Sequence, residues 1–483
     1  MNILDEVLVL FYQFKLDSFN YFLPKHFLFS ETKVEKGSKD FEIYLAIINS
    51  YCRLIFSVRQ NGRNFLNKLQ EKRLKKIINV ASRIKWWEDF FLKNSINPKK
   101  ITSLDGLRSI PPVNRNFLID VDKAFLTAKV NDKDRIQINS TSGSTTGTPF
   151  LIYFDRSVSV INVTAHYVAT LIEQGFNFER NKYKNFLAHL NLFGGVQRLT
   201  TAPEQFATRL SLRGISHEGF NGEIRTITSI LKGIRDVVLF THPSELPLFI
   251  QKLKDNNIEP TIKLCIIIGN ILEPDVRKLT EEYLKCRVIS VYGLREHMIV
   301  ATSCKDYPDL FHSHGERMVL EILDERGNAA EEDFGEITIT GLDNFVMPLI
   351  RYQPGDRARF HKNKRCSCSN PTPLFEIESR SSDTFIFNDG SKKRTRGFMS
   401  IFAKDPLVNL VRRFQVVQKT STEIRVFVEL RAIEHKEKVK KTLGNFFKRY
   451  KKEIPHDINI KLDFTEIDLG KGKYKPFIRL KSK

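Results

Sequence analysis

The stretch RVISVYGLREHM, residues 287–298, joins an apolar run to a short group of polar residues. The run is rich in β-branched residues, which is typical of a buried β-strand. Tyr292, Gly293 and Glu296 come at its end. Because open α/β sheets bind ligands at the carboxyl ends of their strands, this stretch predicts a ring, a turn and a carboxylate at a binding edge.

Two more apolar runs precede this stretch, VVLFT at 237–241 and KLCIIIGN at 263–270. Segments with helical periodicity separate the three runs. Continuous apolar strands that alternate with helices indicate a sheet covered by helices on both faces. The sequence therefore predicts an α/β fold.

The patterns along the rest of the chain divide it into three parts. Residues 1–100 carry apolar residues at helical spacing and predict a helical N-terminal lead-in. Residues 101–382 predict a large multi-layer domain of α/β sheets, with a β-rich subdomain that starts near Met318. Residues 383–483 predict a small mobile α+β domain, joined to the large one by a hinge.

The charge of the chain favours anionic partners. Its 483 residues include 77 Lys and Arg against 56 Asp and Glu, a formal net charge of +21, which suits a nucleotide, an acidic lipid surface or nucleic acid. The basic run KEKVKKTLGNFFKRYKKE has the spacing of an ordinary amphipathic helix, and no nucleic-acid reader motif appears. Binding to nucleic acid is therefore not expected.

The cysteines and the N-terminus bear on the compartment. Six scattered cysteines are too few for a disulfide scaffold, which favours a reducing, cytoplasmic location. The apolar start MNILDEVLVLFYQFKLDSFNYFLP, residues 1–24, is interrupted by charges and lacks a cleavage site of small residues. We expect an amphipathic helix packed on the body, with peripheral docking on a membrane surface as the alternative.

A second signal is STSGSTTGTPF, residues 140–150, which is rich in hydroxyl side chains and glycine. Such a run is most often a solvated connection. No lysine follows its second glycine, so it is not a P-loop of the usual kind. The strand-like runs DRIQINS and FLIYF flank it, and its hydroxyl and N–H groups suit a polyphosphate.

Three further stretches follow in chain order. PLIRYQPGD ends in Asp356 on a Pro-Gly turn, SRSSD contains Arg380 and Asp383, and GKYK places Lys473 close behind two glycines. Each of them taken singly is more often a turn, a cap or a solvated tail. Their order along one chain is what favours a nucleotide site.

In this order the stretches TSGSTTGTP, YGLRE, PLIRYQPGD, SRSSD and GKYK resemble the adenylate-forming (ANL) superfamily, and within it the phenylacetate-CoA ligase branch with its CapK-like relatives of capsular polysaccharide biosynthesis. The helical lead-in LKKIINVASRIKWWEDFF also looks like that branch, so the resemblance covers the chain from about Leu69 onward. It implies an ATP-dependent ligase: a small carboxylate attacks the α-phosphate, pyrophosphate leaves, and the acyl-adenylate passes to an acceptor.

The resemblance also implies a role for each matching residue. Tyr292, followed by Gly293, would stack on the adenine of ATP. Glu296 would coordinate Mg²⁺, a hard cation that prefers carboxylate oxygen. Asp356 would accept hydrogen bonds from the ribose hydroxyls. The β- and γ-phosphates would be held by the hydroxyl loop, through Ser142, Gly143, Ser144, Thr145, Thr146 and Gly147.

The remaining carried-over residues belong to the predicted hinge and the small domain. Arg380 would support the same nucleotide, and Asp383 would be the hinge. Lys473 would place its charge between the carboxylate and the α-phosphate, where negative charge gathers in the transition state. Lys471, two residues before it, is the alternative catalytic lysine.

A metal site is predicted around KRCSCSNP, in which Cys366 and Cys368 flank one serine, a spacing that lets two thiolates reach one ion. With Cys304 and His312 they make the Cys₃His set of a structural zinc site. Relatives in the CapK-like branch carry such a set, so the resemblance implies Zn²⁺ here. His314 is the competing histidine, and reduced cysteines without a metal are the alternative.

Two functional hypotheses follow. In the first the chain is a ligase whose acceptor is the thiol of CoA or an amine or hydroxyl of an envelope precursor. In the second it is a degenerate relative that binds nucleotide without chemistry, because Asn270 and Arg295 stand where relatives carry Glu and a small hydroxyl residue. No spacing rule identifies the carboxylate.

Overall fold

The structure of the chain is a computed structural model. It describes residues 39–114, 117–118, 127, 136–140, 151–174, 187–191, 208–211, 236–243, 246–259, 261–269, 271–378, 384–395, 398, 400–403, 406–451, 454, 457–467 and 477–480.

The helices in these ranges are α1 (Lys39–Ala81), α2 (Lys85–Lys93), α3 (Leu104–Leu107), α4 (Arg156–Glu173), α5 (Leu246–Asp255), α6 (Pro274–Leu284), α7 (Leu407–Leu410) and α8 (Lys436–Tyr450). Short 3₁₀ turns lie at Pro98–Lys100, Ser400–Ala403 and Ile433–His435.

The strands in these ranges are β1 (Val113–Asn114), β2 (Ile136–Ser140), β3 (Leu151–Asp155), β4 (Leu187–Asn191), β5 (Thr208–Ser211), β6 (Asp236–Thr241), β7 (Leu264–Ile268), β8 (Arg287–Leu294), β9 (Met298–Ser303), β10 (Phe311–Ser313), β11 (Met318–Leu323), β12 (Gly335–Gly341), β13 (Tyr352–Gln353), β14 (Arg357–Phe360), β15 (Phe375–Glu378), β16 (Thr384–Ile386), β17 (Lys392–Arg394), β18 (Val411–Gln418), β19 (Glu423–Leu430), β20 (Asn459–Phe464) and β21 (Phe477–Arg479).

The three apolar runs form neighbouring parallel strands. β5, β4, β6, β7 and β8 lie side by side and parallel in one large sheet. Along β6, Val237 and Leu239 pack on one face with α5 and α6, whereas Val238 and Phe240 pack on the other face with Leu171 of α4. Helices therefore cover both faces, and the predicted α/β class is confirmed.

The same sheet changes direction after β8. β9 returns antiparallel to β8, and β10, β15, β14, β12 and β13 continue the sheet to β1 at its far edge, which is parallel to β13; β11 pairs with β12. This antiparallel half is the β-rich part that the sequence predicts. The two halves meet where β8 pairs with β9. Residues from both halves can therefore lie at the same edge of the sheet.

Strands flank the hydroxyl loop, as the sequence predicts. β2 and β3 are antiparallel, with Ser140 opposite Leu151, so the chain enters and leaves the loop at one place. α4 follows β3 directly. The loop itself, residues 141–150, lies outside the described residues.

The N-terminal helices pack on the β-rich half. α1 is broken at Gly62, which has a φ of 73°. Glycine adopts this value readily because it has no Cβ to clash with its own backbone. Beyond the break, Gln70 Nε2 donates to the carbonyls of Gly315 and Met318, both at 2.9 Å. The lead-in is thus fixed to the segment between β10 and β11. The apolar start of the chain lies outside the described residues.

The C-terminal residues form a core of their own. β20, β19, β18 and β21 make a four-stranded sheet, and α8 packs on it through Val439, Leu443 and Phe447. Phe385 and Phe398 join the same core. This arrangement is α+β, and the boundary near Asp383 stays a prediction.

Within the part of the chain that the structure describes, no helix combines the length and the apolarity that crossing a bilayer requires.

Two glycines give opposite predictions for stability. A Cβ on Gly335 would overlap the carbonyl oxygen of Leu323 and lie 2.7 Å from the Cβ of Ala330, whereas a Cβ on Gly444, inside α8, would meet nothing within 4 Å. We expect Gly335→Ala to lower the free energy of unfolding by about 3 kcal/mol. Gly444→Ala should raise it by about 1 kcal/mol through helix propensity. Urea unfolding measures both, and equal effects would contradict the packing described for β12.

Candidate nucleotide site and metal clusters

The carboxyl ends of three parallel strands meet at one edge of the sheet. β6 ends at Thr241, and the next residue, His242, places Nδ1 2.5 Å from the carbonyl oxygen of Ile268 at the end of β7. Tyr292 lies at the corresponding end of β8. This is the edge at which parallel sheets bind ligands.

Two residues from separate motifs meet at this edge. Tyr292 Oη donates to Asp356 Oδ2 at 2.7 Å, although 64 positions separate them. Asp356 is 3% exposed, and its carbonyl accepts from the N–H of Ile337 on β12 at 2.8 Å. Gly355 before it has a φ of 84°, which lets the Pro-Gly turn deliver the carboxylate. The residues proposed for adenine and ribose therefore lie in direct contact.

A second hydrogen bond joins the same two motifs. Tyr352 Oη donates to Glu296 Oε1 at 3.0 Å, and Glu296 is 8% exposed. A buried carboxylate needs such a donor, because an isolated charge in the interior is costly. The neighbouring residue Arg295 is exposed. Tyr352 thus fixes the orientation of the carboxylate that the resemblance assigns to Mg²⁺.

Arg351 holds this part of the chain in place. Its Nε and Nη2 atoms reach the two carboxylate oxygens of Glu321 at 3.1 and 3.2 Å. Its Nη1 donates to the carbonyls of Arg108 at 3.0 Å and Ile110 at 2.5 Å. The residue has a φ of 47°, an uncommon value for a side chain of this size. Its guanidinium group donates to all four of these acceptor oxygens.

Gly293 allows the close approach that the β8–β9 turn requires. A Cβ there would lie 3.0 Å from the carbonyl oxygen of Met298. The pairing of β8 with β9 also shifts register between Tyr292 and Gly293. The glycine of the YGLRE stretch therefore has a packing reason, independent of any ligand.

The structure brings together Tyr292, Gly293, Glu296 and Asp356. The other predicted nucleotide and hinge residues lie outside the described residues: Ser142, Gly143, Ser144, Thr145, Thr146, Gly147, Arg380, Asp383, Lys471 and Lys473. Their roles stay predictions.

Sequence reasoning missed three residues at this edge. Arg351 and Tyr352 lie inside the quoted stretch PLIRYQPGD, where only Asp356 was given a role. His242 follows the strand run VVLFT directly, so its position after a parallel strand was a usable signal.

The predicted cysteine and histidine set forms one cluster. The ligand atoms of Cys304, His312, Cys366 and Cys368 all lie within 4.8 Å of one another. The Sγ atoms of Cys366 and Cys368 lie 3.0 Å apart and 3.3 and 3.2 Å from His312 Nε2, and Cys304 Sγ lies 4.0 Å from Cys368 Sγ. Bonds of about 2.3 Å to sulfur and 2.0 Å to nitrogen give separations of about 3.8 Å between two sulfurs and about 3.5 Å between sulfur and nitrogen around a tetrahedral zinc, and the distances here lie on both sides of these values.

The surroundings of His312 suit a metal ligand. Its Nδ1 lies 2.9 Å from the carbonyl oxygen of Thr372, to which it donates, leaving the lone pair of Nε2 facing the sulfurs. Burial lowers the pKa of His312 to about 4, which keeps the imidazole neutral, the form that binds metals. Burial also raises the pKa of the Cys368 thiol to about 12, and a divalent cation would reverse that preference.

His314, the competing histidine, belongs to a different group. Its ring lies against that of His166 at a centroid distance of 3.9 Å, with Glu316 close by. The histidine that lies with the three cysteines is therefore His312.

The fold is similar to that of 2-hydroxyisobutyryl-CoA ligase. The postadenylation state of that enzyme, in complex with R3-HIB-AMP, superposes with a TM-score of 0.66 at 14% identity, over 86% of this chain and 89% of that chain. Its open conformation with 2-HIB-AMP and CoA gives 0.55 at 14% identity, over 85% and 91%. Its thioesterification state with 2-HIB-AMP and CoA gives 0.54 at 14% identity, over 86% and 89%.

These likenesses show that the chain has the fold of adenylate-forming CoA ligases. No protein-family profile and no curated protein sequence matches the chain.

The buried edge of β12 yields a prediction for pH dependence. Burial, together with the charges of Asp356 and Glu378, raises the pKa of Glu336, while Arg357 opposes the shift. Because the folded pKa lies above the unfolded one, ionising Glu336 costs stability as the pH rises through these values. Glu336→Gln should therefore stabilise the protein increasingly from pH 4.5 to pH 8, as measured by urea unfolding.

Glu325→Gln, in the exposed turn between β11 and β12, is the control for the change in net charge. A gain for Glu336→Gln that stays constant across the pH range would contradict the effect of burial.

Proposed function

We propose that this protein is an ATP-dependent ligase that activates a small carboxylate as its acyl-adenylate, with release of pyrophosphate. The observation that carries the proposal is the contact of Tyr292 Oη with Asp356 Oδ2 at 2.7 Å, which joins two separate motifs of the resemblance at the carboxyl edge of the sheet. The fold of adenylate-forming CoA ligases supports it.

In this proposal the chain's residues mainly position the nucleotide. The ring of Tyr292 provides an apolar face for the adenine, and Asp356 offers carboxylate oxygens to the ribose hydroxyls. The loop of 141–150 wraps the phosphates. Positioning of this kind accounts for much of the rate of a reaction between two bound groups.

Charge is supplied by Lys473 and by Mg²⁺. Glu296 would hold the Mg²⁺ ion, since its carboxylate offers the hard oxygen that this ion prefers and Tyr352 already fixes its direction. The ion would counter the charge of the phosphates. Lys473, or Lys471 beside it, would place its ammonium group against the α-phosphate as negative charge develops there.

The acceptor is proposed to be the thiol of CoA, whose phosphates suit a chain with a net charge of +21. The structurally similar 2-hydroxyisobutyryl-CoA ligase forms complexes with an adenylate and CoA. With CoA as acceptor, the activity would be like that of a phenylacetate-CoA ligase in the cytoplasm. The resemblance to the CapK-like branch suggests a second acceptor, an envelope or capsular precursor. Peripheral contact with a membrane would belong to that second acceptor.

A catalytically degenerate nucleotide binder is the second candidate. It is favoured by the buried position of Glu296, whose Oε1 already accepts from Tyr352, and by Arg295 beside it. Chemistry, rather than binding, separates the two candidates.

The test is pyrophosphate release from the purified protein with Mg²⁺-ATP and a panel of aryl, hydroxy, fatty and amino-acid carboxylates. We expect release that depends on one class of carboxylate. Lys473→Ala should lower this rate by about a thousandfold, since it removes a charge used in the transition state. Lys471→Ala separates the two candidate lysines: it should retain most of the rate, and the reverse pattern would make Lys471 the catalytic lysine.

Two tyrosine variants test the site geometry in the same assay. Tyr292→Phe removes a hydrogen bond to a carboxylate and should raise the KM for ATP by about tenfold. Tyr283→Phe, on α6, is the control, because its hydroxyl only reaches the carbonyl of Ile258 at 3.4 Å. Nucleotide binding without pyrophosphate release on a wide carboxylate panel would favour the degenerate binder.

We also propose that Cys304, His312, Cys366 and Cys368 hold a structural Zn²⁺ ion. The donor set, the spacing of the ligand atoms and the Thr372 carbonyl behind His312 support this. The ion would join the β9–β10 turn to the loop between β14 and β15.

For the zinc, Cys366→Ser should lose about one equivalent of protein-bound metal and lower the thermal midpoint, because structural zinc contributes directly to folding. Cys286→Ser, at a buried cysteine outside the cluster, is the matched control. Metal analysis by inductively coupled plasma mass spectrometry measures the loss. Retention of all zinc by Cys366→Ser would contradict the assignment.

A further inference from the structure

A second group of metal-binding side chains lies next to the cysteine cluster. It consists of His166 on α4 together with His314 and Glu316, which follow β10. All three side chains are buried, with exposures of 2%, 5% and 4%. Neither the nucleotide site nor the cysteine cluster uses any of them.

The three side chains converge on one point. His166 Nε2 lies 3.0 Å from Glu316 Oε1, and His314 Nδ1 lies 3.9 Å from the same oxygen. Nitrogen and oxygen ligands of a tetrahedral zinc, with bonds of about 2.0–2.1 Å, lie about 3.3 Å apart. The separations here bracket that value.

Two of the converging atoms have unmet bonding capacity. His166 Nε2 and Glu316 Oε1 are both fully buried; they approach each other at the distance of an ion pair but not at the angle of a hydrogen bond, and neither atom makes another hydrogen bond. Two metal ligands that share one cation also lie close together with no hydrogen between them, because each directs a lone pair at the ion. Buried polar atoms in native proteins nearly always have a partner, and a shared ion would satisfy both of these.

The environment orients the other ligands. His314 Nε2 lies 3.1 Å from Thr302 Oγ1 on β9, a hydroxyl that can accept from Nε2–H, and in that tautomer the lone pair of Nδ1 is left for the cluster. Arg73 Nη1 donates to the carbonyl of Glu316 at 2.6 Å, which fixes the backbone that presents the carboxylate. Such second-layer contacts are characteristic of metal ligands.

Two cationic residues near the group have carboxylate partners of their own. Arg317 Nε lies 2.7 Å from Asp343 Oδ2, and Arg59 forms an ion pair with Glu173. The ion pairs of these two guanidinium groups are therefore made with carboxylates other than Glu316.

We propose that His166, His314 and Glu316 bind a divalent transition-metal ion, for which Zn²⁺ fits the donor set of two imidazoles and one carboxylate. The ion would cross-link α4, which follows the hydroxyl loop, to the segment between β10 and β11. It would be separate from the cysteine-bound zinc, and its binding requires neither a nucleotide nor adenylation.

The decisive measurement is a Co²⁺ titration of the metal-free, reduced full-length protein, followed by absorption. Cobalt at the cysteine cluster gives sulfur-to-metal charge-transfer absorption in the near ultraviolet, whereas cobalt at the histidine and glutamate group gives only visible ligand-field bands. We expect about two equivalents of bound cobalt, one of each kind. Uptake limited to the cobalt that gives the sulfur band would overturn the proposal.

Variants assign the second equivalent to these residues. Glu316→Gln, which preserves size, combined with His166→Gln should remove one equivalent of cobalt and leave the sulfur band unchanged. Cys366→Ser with Cys368→Ser should do the reverse. His297→Gln is the matched control, since His297 is also a buried histidine with an unpartnered Nε2 but lies outside both groups.

Zinc X-ray absorption on the wild-type protein gives an independent result if a variant fails to fold. Two sites would give an average coordination shell with more nitrogen and oxygen than sulfur, whereas the cysteine cluster alone would give three sulfurs to one nitrogen. A shell of the second composition in zinc-saturated protein, or full cobalt retention by the Glu316→Gln and His166→Gln variant, would refute the second site.

Discussion

The site depends on the hydrogen bonds of the Arg351 guanidinium group. It is 3% exposed and binds Glu321 with two nitrogens, while its third nitrogen holds the carbonyls of Arg108 and Ile110. A buried charge is tolerated only when it is paired and fully hydrogen-bonded, so these four groups constrain one another. The result is that the segment before β14 is held against both β11 and the segment between α3 and β1.

That constraint bears on the geometry of the candidate nucleotide site. Tyr352 is the next residue, and its hydroxyl donates a hydrogen bond to Glu296. Asp356 lies four residues further along and accepts a hydrogen bond from the hydroxyl of Tyr292. Two carboxylates are thus each held by a tyrosine from the other motif. Such reciprocal support orients functional groups before any ligand is bound, which lowers the cost of ordering them on binding.

Both candidate metal-binding clusters include a histidine on or just after β10. His312 on β10 faces the cysteines, whereas His314, just after this strand, lies with His166 and Glu316, so neighbouring residues contribute to two different groups. Helix α1 covers the second group through Gln70 and Arg73, whose hydrogen bonds go to backbone carbonyls. The helical lead-in is therefore part of the architecture around the clusters, and its removal would expose buried polar groups.

The sequence by itself determined the α/β class, the alternation of buried strands and helices, and the hairpin around the hydroxyl loop, because these follow from local periodicity and turn residues. Together with the family resemblance, it also singled out the three cysteines of the cluster and left His312 and His314 as candidates for the fourth member. Only the tertiary structure decided that His312 and not His314 joins the cysteines, and that Tyr352 holds Glu296. The grouping of His166 with His314 is likewise invisible in the sequence, because their contact depends on how α4 packs on the sheet across a long stretch of chain, and no local pattern records such packing.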